Sequence, residues 1–395
     1  MPFDKKIAPS LALLTASALA LPGVSQKAQA AEPTSSTRVQ IGYSHYREDG
    51  ISSKKTFSSD RERYEIDIGQ FQILSPLGES GEFGVNVSHE KMSGASPWFV
   101  LSGFSGEPIQ VMSGATISEK RNDTALSYKH YYDKSAVQIN VGASDEDDYE
   151  SRNIGIVIDK DFAQSSISGG ISYSRDKIEP VDNDIFLSRV NKADKYSHRL
   201  SLSVTQVINP TTVLQAGVSY ERQWGYLSDP YKLTIVGGIP LQDSRPQNRS
   251  GILGKLGLRH FVRFLDATFQ FDYRYYHDNW GILSHTFDIA WHQSLPAGWA
   301  IKPSVRHYSQ TQAGFFGNTF STSQQLDYFS SDYRLSAYGA WTYGLAVEKM
   351  FSNFGVELSA SRYKASEGAS ILKAGDVSPG LVDFTLYSVL FSFEF

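Results

Sequence analysis

The last ten residues, 386–395, read LYSVLFSFEF and place Tyr387, Val389, Phe391, Phe393 and Phe395 on one side of an extended chain. Side chains alternate faces along a β-strand, so the segment predicts a strand with one aromatic face. The same period of two runs back through the sequence. FQFDYRY at 269–275 sets Phe269, Phe271, Tyr273 and Tyr275 against Gln270, Asp272 and Arg274. Val39, Ile41 and Tyr43 oppose Gln40, Gly42 and Ser44, and Tyr64, Ile66 and Ile68 oppose Glu65, Asp67 and Gly69. Val137, Ile139 and Val141 answer Ile154, Ile156 and Ile158 across an acidic tip. From Thr37 onward sixteen such segments are recognisable, one of them at 333–347.

The connections between segments alternate in length. Those at 75–81, 131–135, 160–164, 209–212, 262–266, 294–299 and 350–353 are short, whereas 91–117, 175–195, 224–250, 311–332 and 365–380 are long. A soluble sandwich has no reason to sort its loops by parity. An outer-membrane barrel does, with short periplasmic turns, long external loops and an even number of strands. The predicted fold class is therefore all-β: a transmembrane antiparallel up-and-down β-barrel of about 16 strands. Its aromatic faces would meet lipid and lipopolysaccharide, and its polar faces the lumen. The terminal strand ending in Phe resembles the signal read by the outer-membrane barrel assembly machinery, and Tyr387, Phe393 and Phe395 are its candidate residues.

Composition agrees. The 395 residues include 22 Tyr, 23 Phe, 32 Gly and no Cys. The absence of cysteine excludes disulfide scaffolds, thiolate metal sites and a lipoprotein anchor. A formal charge of −5 argues against nucleic acid as a partner. Lys5 and Lys6 precede an apolar stretch, Leu11 to Leu21, and Ala28–Gln29–Ala30 supplies the small residues of a cleavage site. Residues 1–30 read as a secretory signal peptide and 31–395 as the barrel. Cleavage would take the formal charge from −5 to −7, with loss of Asp4, Lys5, Lys6 and Lys27.

Two regions are less generic. WGYLSDPYK at 224–232, with Arg245, Pro246 and Arg249, and YRYYHDNWGILSH at 273–285 resemble the outer-membrane barrel family catalogued as domain of unknown function 3570. The resemblance covers Trp224 to His285 and singles out Tyr226, Asp229, Pro230, Tyr231, Arg245, Arg274, Asp278, Trp280 and Gly281. It implies a barrel in the bacterial outer membrane and carries no established activity.

Candidate chemistry is sparse. His277–Asp278 with Asp229 could serve as a rim hydrolase, since such pairs activate water. Adjacent strand residues point to opposite faces, however, so a structural loop knot is the better reading. No G-x-S-x-G elbow occurs. SDEDDYES at 144–151 has hard oxygens suited to Ca²⁺ but lacks a calcium loop's glycine and terminal Glu, so a solvated acidic tip is preferred. His45, His89, His198, His285 and His307 read as interfacial girdle residues rather than metal ligands. Inward-facing Lys129, Lys255, Arg259, Arg274, Lys302, Arg306 and Arg334 outnumber Asp272, Asp288 and Glu357. That imbalance suggests anion preference, with Lys255, Arg259, Arg274 and Arg306 setting selectivity. The apolar stretch 97–101 and Phe104 lie in the loop 91–117, which either folds into the pore or packs on a partner.

The expected function is a porin-like channel for small polar solutes in the bacterial outer membrane. No catalytic residue, cofactor or metal is assigned. The alternative is a barrel that scaffolds or exports a periplasmic or surface envelope partner.

Overall fold

The computed structural model describes residues 33–57, 61–113, 117–180, 189–321, 326–372 and 375–395. The first strands are β1 (Arg38–Glu48), β2 (Glu65–Leu77) and β3 (Gly81–Gly94), followed by a loop hairpin of β4 (Pro97–Ser102) and β5 (Pro108–Met112). Next come β6 (Ile117–Tyr132), β7 (Ser135–Asp145), β8 (Tyr149–Asp161), β9 (Ser165–Ile178), β10 (Ala193–Asn209) and β11 (Thr212–Gly225). A second loop hairpin, β12 (Leu233–Val236) and β13 (Ile239–Gln242), precedes β14 (Asn248–Val262), β15 (Ala267–Asp278) and β16 (Leu283–Leu295). The chain ends with β17 (Trp299–Gln310), β18 (Tyr338–Met350), β19 (Phe354–Ser366) and β20 (Phe384–Glu394).

Sixteen of these strands close an antiparallel barrel in chain order, and the two hairpins stand apart from it. Closure leaves the barrel sheet itself without an edge strand. The seam joins β1 to β20 from Arg38↔Glu394 to Glu48↔Phe384.

Register fixes the facing. Ile41↔Phe71, Val141↔Ile154, Leu256↔Tyr273 and Leu358↔Val389 pair outward-facing apolar side chains. Many of these are well exposed on the isolated chain, as with Leu256 at 55% and Leu358 at 59%. One face would break the simple pattern if it were read as lipid-directed throughout. Tyr64, Ile66 and Ile68 lie on the inner face of β2 and its approach, and they pack with Met92 and Tyr46 inside the long-loop end. Their outward neighbours are polar: Glu65 pairs with Arg47 at 2.9 Å, and Asp67 accepts from Tyr43 at 2.6 Å. At the long-loop end the inner face of β2 is apolar and buried while its outer face is polar, so the amphipathic sign reverses along one strand.

The long loops are folded rather than free. Thr56 bridges Gln110, Val236 bridges Phe320, and Ser244 bridges Phe329. In the β4–β5 hairpin Val100 is fully buried, while Phe104 at the tip is fully exposed. The predicted strand at 333–347 begins later. Tyr333–Leu335 is a short 3-10 turn capped by Asp332, so Arg334 belongs to a loop and not to the barrel wall.

Candidate functional site: the outer mouth and inner wall

At the long-loop end, Asp229 and Pro230 start a turn in which Asp229 Oδ1 accepts the Tyr231 amide at 3.0 Å. Its other oxygen takes the Arg334 guanidinium at 2.8 Å, across 105 residues. Arg334 also donates Nε to both oxygens of Asp332, at 3.0 and 2.8 Å. Asp332 binds Arg245 Nη2 at 2.9 Å, and Arg245 Nε reaches Asp243 at 2.7 Å. Asp243 closes the circuit by accepting the Asp229 amide at 2.9 Å. Lys232, 4% exposed, donates to the Pro97 carbonyl and so binds this network to the β4–β5 hairpin. Three carboxylates face two guanidiniums and one ammonium, so the buried charge is balanced. Burial alone would raise the Asp332 carboxyl, but Arg334, Lys232 and Arg245 outweigh it and hold it well below the usual range. Burial pushes Asp243 up and Lys232 down. A separate pair, Arg63 and Glu48 at 2.9 Å with both side chains almost fully buried, anchors the loop backbone at Gly380 and Leu381.

Asp278 forms a second knot. It accepts from Arg249 at 2.6 Å, Tyr276 at 2.9 Å, and the amides of Trp280 and Ile282 at 3.0 Å each. Trp280 donates its indole N–H to Asn248 at 3.0 Å. Gly281 sits at φ +92°, a left-handed conformation that side chains resist, and so completes the tight turn between β15 and β16. Gly225 at φ +103° is held for a second reason: a Cβ there would lie 2.3 Å from the Asp194 carbonyl. Tyr226 is mostly buried, and burial, with Asp229 and Asp243 nearby, raises its hydroxyl well above the usual tyrosine range. His277 faces outward while Asp278 and Asp229 are committed to different ion-pair knots, so the pieces of a rim hydrolase do not meet.

The acidic tip departs from the solvated reading. Glu146 and Asp148 turn inward, and both join Glu119 from the inner face of β6; one oxygen of each lies within 4.8 Å of the others. Burial pushes Glu146 up to about 7 against the pull of Arg121, and also raises Asp148 against its bond from Tyr231. The run SDEDDYES signalled two of these three residues. Glu119, more than twenty residues earlier, gave no local signal because only the barrel brings it near.

Below the loops, the inner wall carries paired charges. Arg259 binds Asp272 at 2.7 Å, and Arg274 lies 3.5 Å from Asp288, which Arg306 also engages. Lys302 bridges Glu348 at 2.8 Å and Glu357 at 2.7 Å, and Lys129 pairs with Asp159 at 2.9 Å. Glu348 and Asp159 join the inward set that the sequence suggests and Arg334 does not belong in it, which leaves six cations against five carboxylates and removes most of the expected basic excess. Among the described residues Lys255 has no carboxylate within 4.0 Å. The five histidines lie on the outward face with different partners: His45 bonds Asp67 at 2.9 Å, His89 bonds Asn122 at 2.7 Å, His198 stacks 4.9 Å from Trp224, His285 bonds Tyr273 at 2.7 Å, and His307 packs 4.4 Å from Trp341.

The fold is similar to solved barrels. CdiB from Acinetobacter baumannii matches with a TM-score of 0.51 and 10% identity, over 90% of this chain and 60% of that one. The siderophore receptor PirA from Pseudomonas aeruginosa gives 0.44 and 13%, over 84% and 56%. A bacterial polysaccharide outer membrane secretin gives 0.49 and 8%, over 91% and 98%. The chain spans little more than half the length of the first two. No curated protein matches it. The family described as "Protein of unknown function (DUF3570)" matches residues 11–386, nearly the whole chain, and this protein belongs to that family.

Proposed function

We propose that this barrel resides in the bacterial outer membrane, after removal of residues 1–30, and passes small polar solutes through its lumen. The leader lies outside the described residues. One observation carries the channel reading: charged side chains on the inner wall are well exposed although they point into the barrel. Arg259, Asp272, Arg274 and Arg306 are 38, 37, 36 and 43% exposed. Only a wet lumen gives inward-facing groups that much solvent, and a sixteen-stranded barrel is wide enough to hold one.

Purified, folded protein in a planar lipid bilayer is expected to give stepwise ohmic conductance. Protein that runs faster on a gel unheated than boiled, yet conducts nothing, would overturn the channel. The scaffold reading would then take its place, favoured by the apolar tip at Phe104. Selectivity supplies a second test. Asp288 is shared by Arg274 and Arg306, so Asp288→Asn frees two cations at once, and reversal potentials under a salt gradient should move toward anions. A shift toward cations would remove these residues from the conduction path.

Assembly follows from the seam. Phe395 exchanges backbone hydrogen bonds with Thr37 at 2.9 and 3.2 Å and is otherwise 75% exposed. A largely exposed terminal ring suits recognition by the assembly machinery more than packing. Phe395→Asp should therefore lower the amount in the outer-membrane fraction while leaving the melting of already folded protein little changed. Equal surface levels would show that this residue is not part of the signal.

A further inference from the structure

Among the described residues of the outer mouth, two buried acidic clusters differ in one respect. Around Asp332 the carboxylates are matched by cations. Around Glu119 they are not. Glu119 and Asp148 are each 4% exposed, and the Glu146 side chain is 1% exposed. Arg121 faces this group, with Nε 3.5 Å from Glu146, and is shared with Glu90 at 4.0 Å. Both oxygens of Glu119, both of Glu146 and Oδ1 of Asp148 are buried without a hydrogen-bond partner among the described residues. Asp148 Oδ2 accepts from the Tyr231 hydroxyl.

Unpaired buried carboxylates are costly, because each loses hydration with nothing in return. A native site resolves this by protonation or by holding a cation. The geometry favours the second. Three oxygens within 4.8 Å of one another need only small side-chain adjustments to share one ion at 2.3–2.6 Å, the distance of calcium–oxygen bonds. All three donors are hard oxygen, with no imidazole in the cluster, which disfavours zinc and later transition metals.

We propose that Glu119, Glu146 and Asp148 bind one calcium ion beneath the outer loops. The ion would clamp the β7–β8 tip to the wall at β6. Through Tyr231 it would also hold the 226–247 loop, which carries the Asp229 turn. The mouth is then ordered by a cation drawn from outside the cell. This assignment stands whether or not the lumen conducts.

The test uses full-length protein folded in detergent free of lipopolysaccharide, which itself binds divalent ions, and stripped with a chelator. Titration calorimetry with Ca²⁺ should show one saturable site with a Kd between about 1 µM and 1 mM, the range of sensor and extracellular sites. Tb³⁺ should displace Ca²⁺ and luminesce on excitation of nearby tyrosine. Glu119→Gln keeps the side-chain shape and should weaken Ca²⁺ at least tenfold, whereas Asp159→Asn, at the Lys129 pair, should bind as the parent does. Heat-modifiable mobility reports folding of each variant, so a loss of binding in a folded Glu119→Gln protein supports the site. No saturable binding by the folded parent would overturn it, leaving shared protons as the resolution. Equal binding by Glu119→Gln would overturn it too, and Mg²⁺ affinity equal to that for Ca²⁺ would overturn the calcium assignment.

Discussion

Asp332→Ala is expected to destabilise the outer loops by about 3–5 kcal/mol, the usual cost of removing one partner from a buried ion-pair network. The substitution leaves Arg245 with Asp243 alone and Arg334 with Asp229 alone, so two buried guanidiniums each lose a carboxylate in a region where the Asp332 side chain has no exposed surface. The barrel ladders do not depend on this network, so the effect should be local. Limited proteolysis of the folded protein is the direct measurement: cleavage within 226–247 and 311–337 should rise by orders of magnitude, while the unheated gel mobility persists. Unchanged protection of both loops would mean that the network is not what holds them.

The second large effect tests which face meets lipid. Leu256 and Lys255 are neighbours on β14 and point to opposite sides. Leu256→Arg places a guanidinium near mid-strand on the outward face, at a cost of about 2–4 kcal/mol at a bilayer midplane. Lys255→Glu instead puts a carboxylate directly across the ladder from Arg274, where Lys255 now faces a like charge. The first should reduce the folded fraction in lipid vesicles sharply, and the second should leave it equal or higher, as read by urea titration. The reverse ranking would invert the assigned facing.

Much of this molecule was legible from alternation alone, since a closed sheet obliges each strand to declare its faces. Strand number, closure by the terminal segment, loop parity and the inward set from Lys255 to Arg306 all follow from a period of two. What escaped were relationships made by the third dimension. Tyr64, Ile66 and Ile68 kept the period but reversed its meaning, because loops packed inside them. Glu348 belonged to a charge ladder that only the β17–β18–β19 register reveals, and the hairpins β4–β5 and β12–β13 hid in stretches that read as long loops. Asp278 looked available for chemistry in one dimension and is saturated with donors in three.

The seam between β1 and β20 has a kinetic consequence. Its partners, such as Arg38 and Glu394, are separated by nearly the entire chain. Contacts of such sequence separation form slowly, because the loop must close before any pairing rewards it. Until the final dozen residues emerge, β1 has one unpaired edge and the growing sheet has another, both lined with exposed aromatic and branched side chains. Such edges template wrong pairings between chains. Pairing of β20 with β1 therefore removes both reactive edges in a single step.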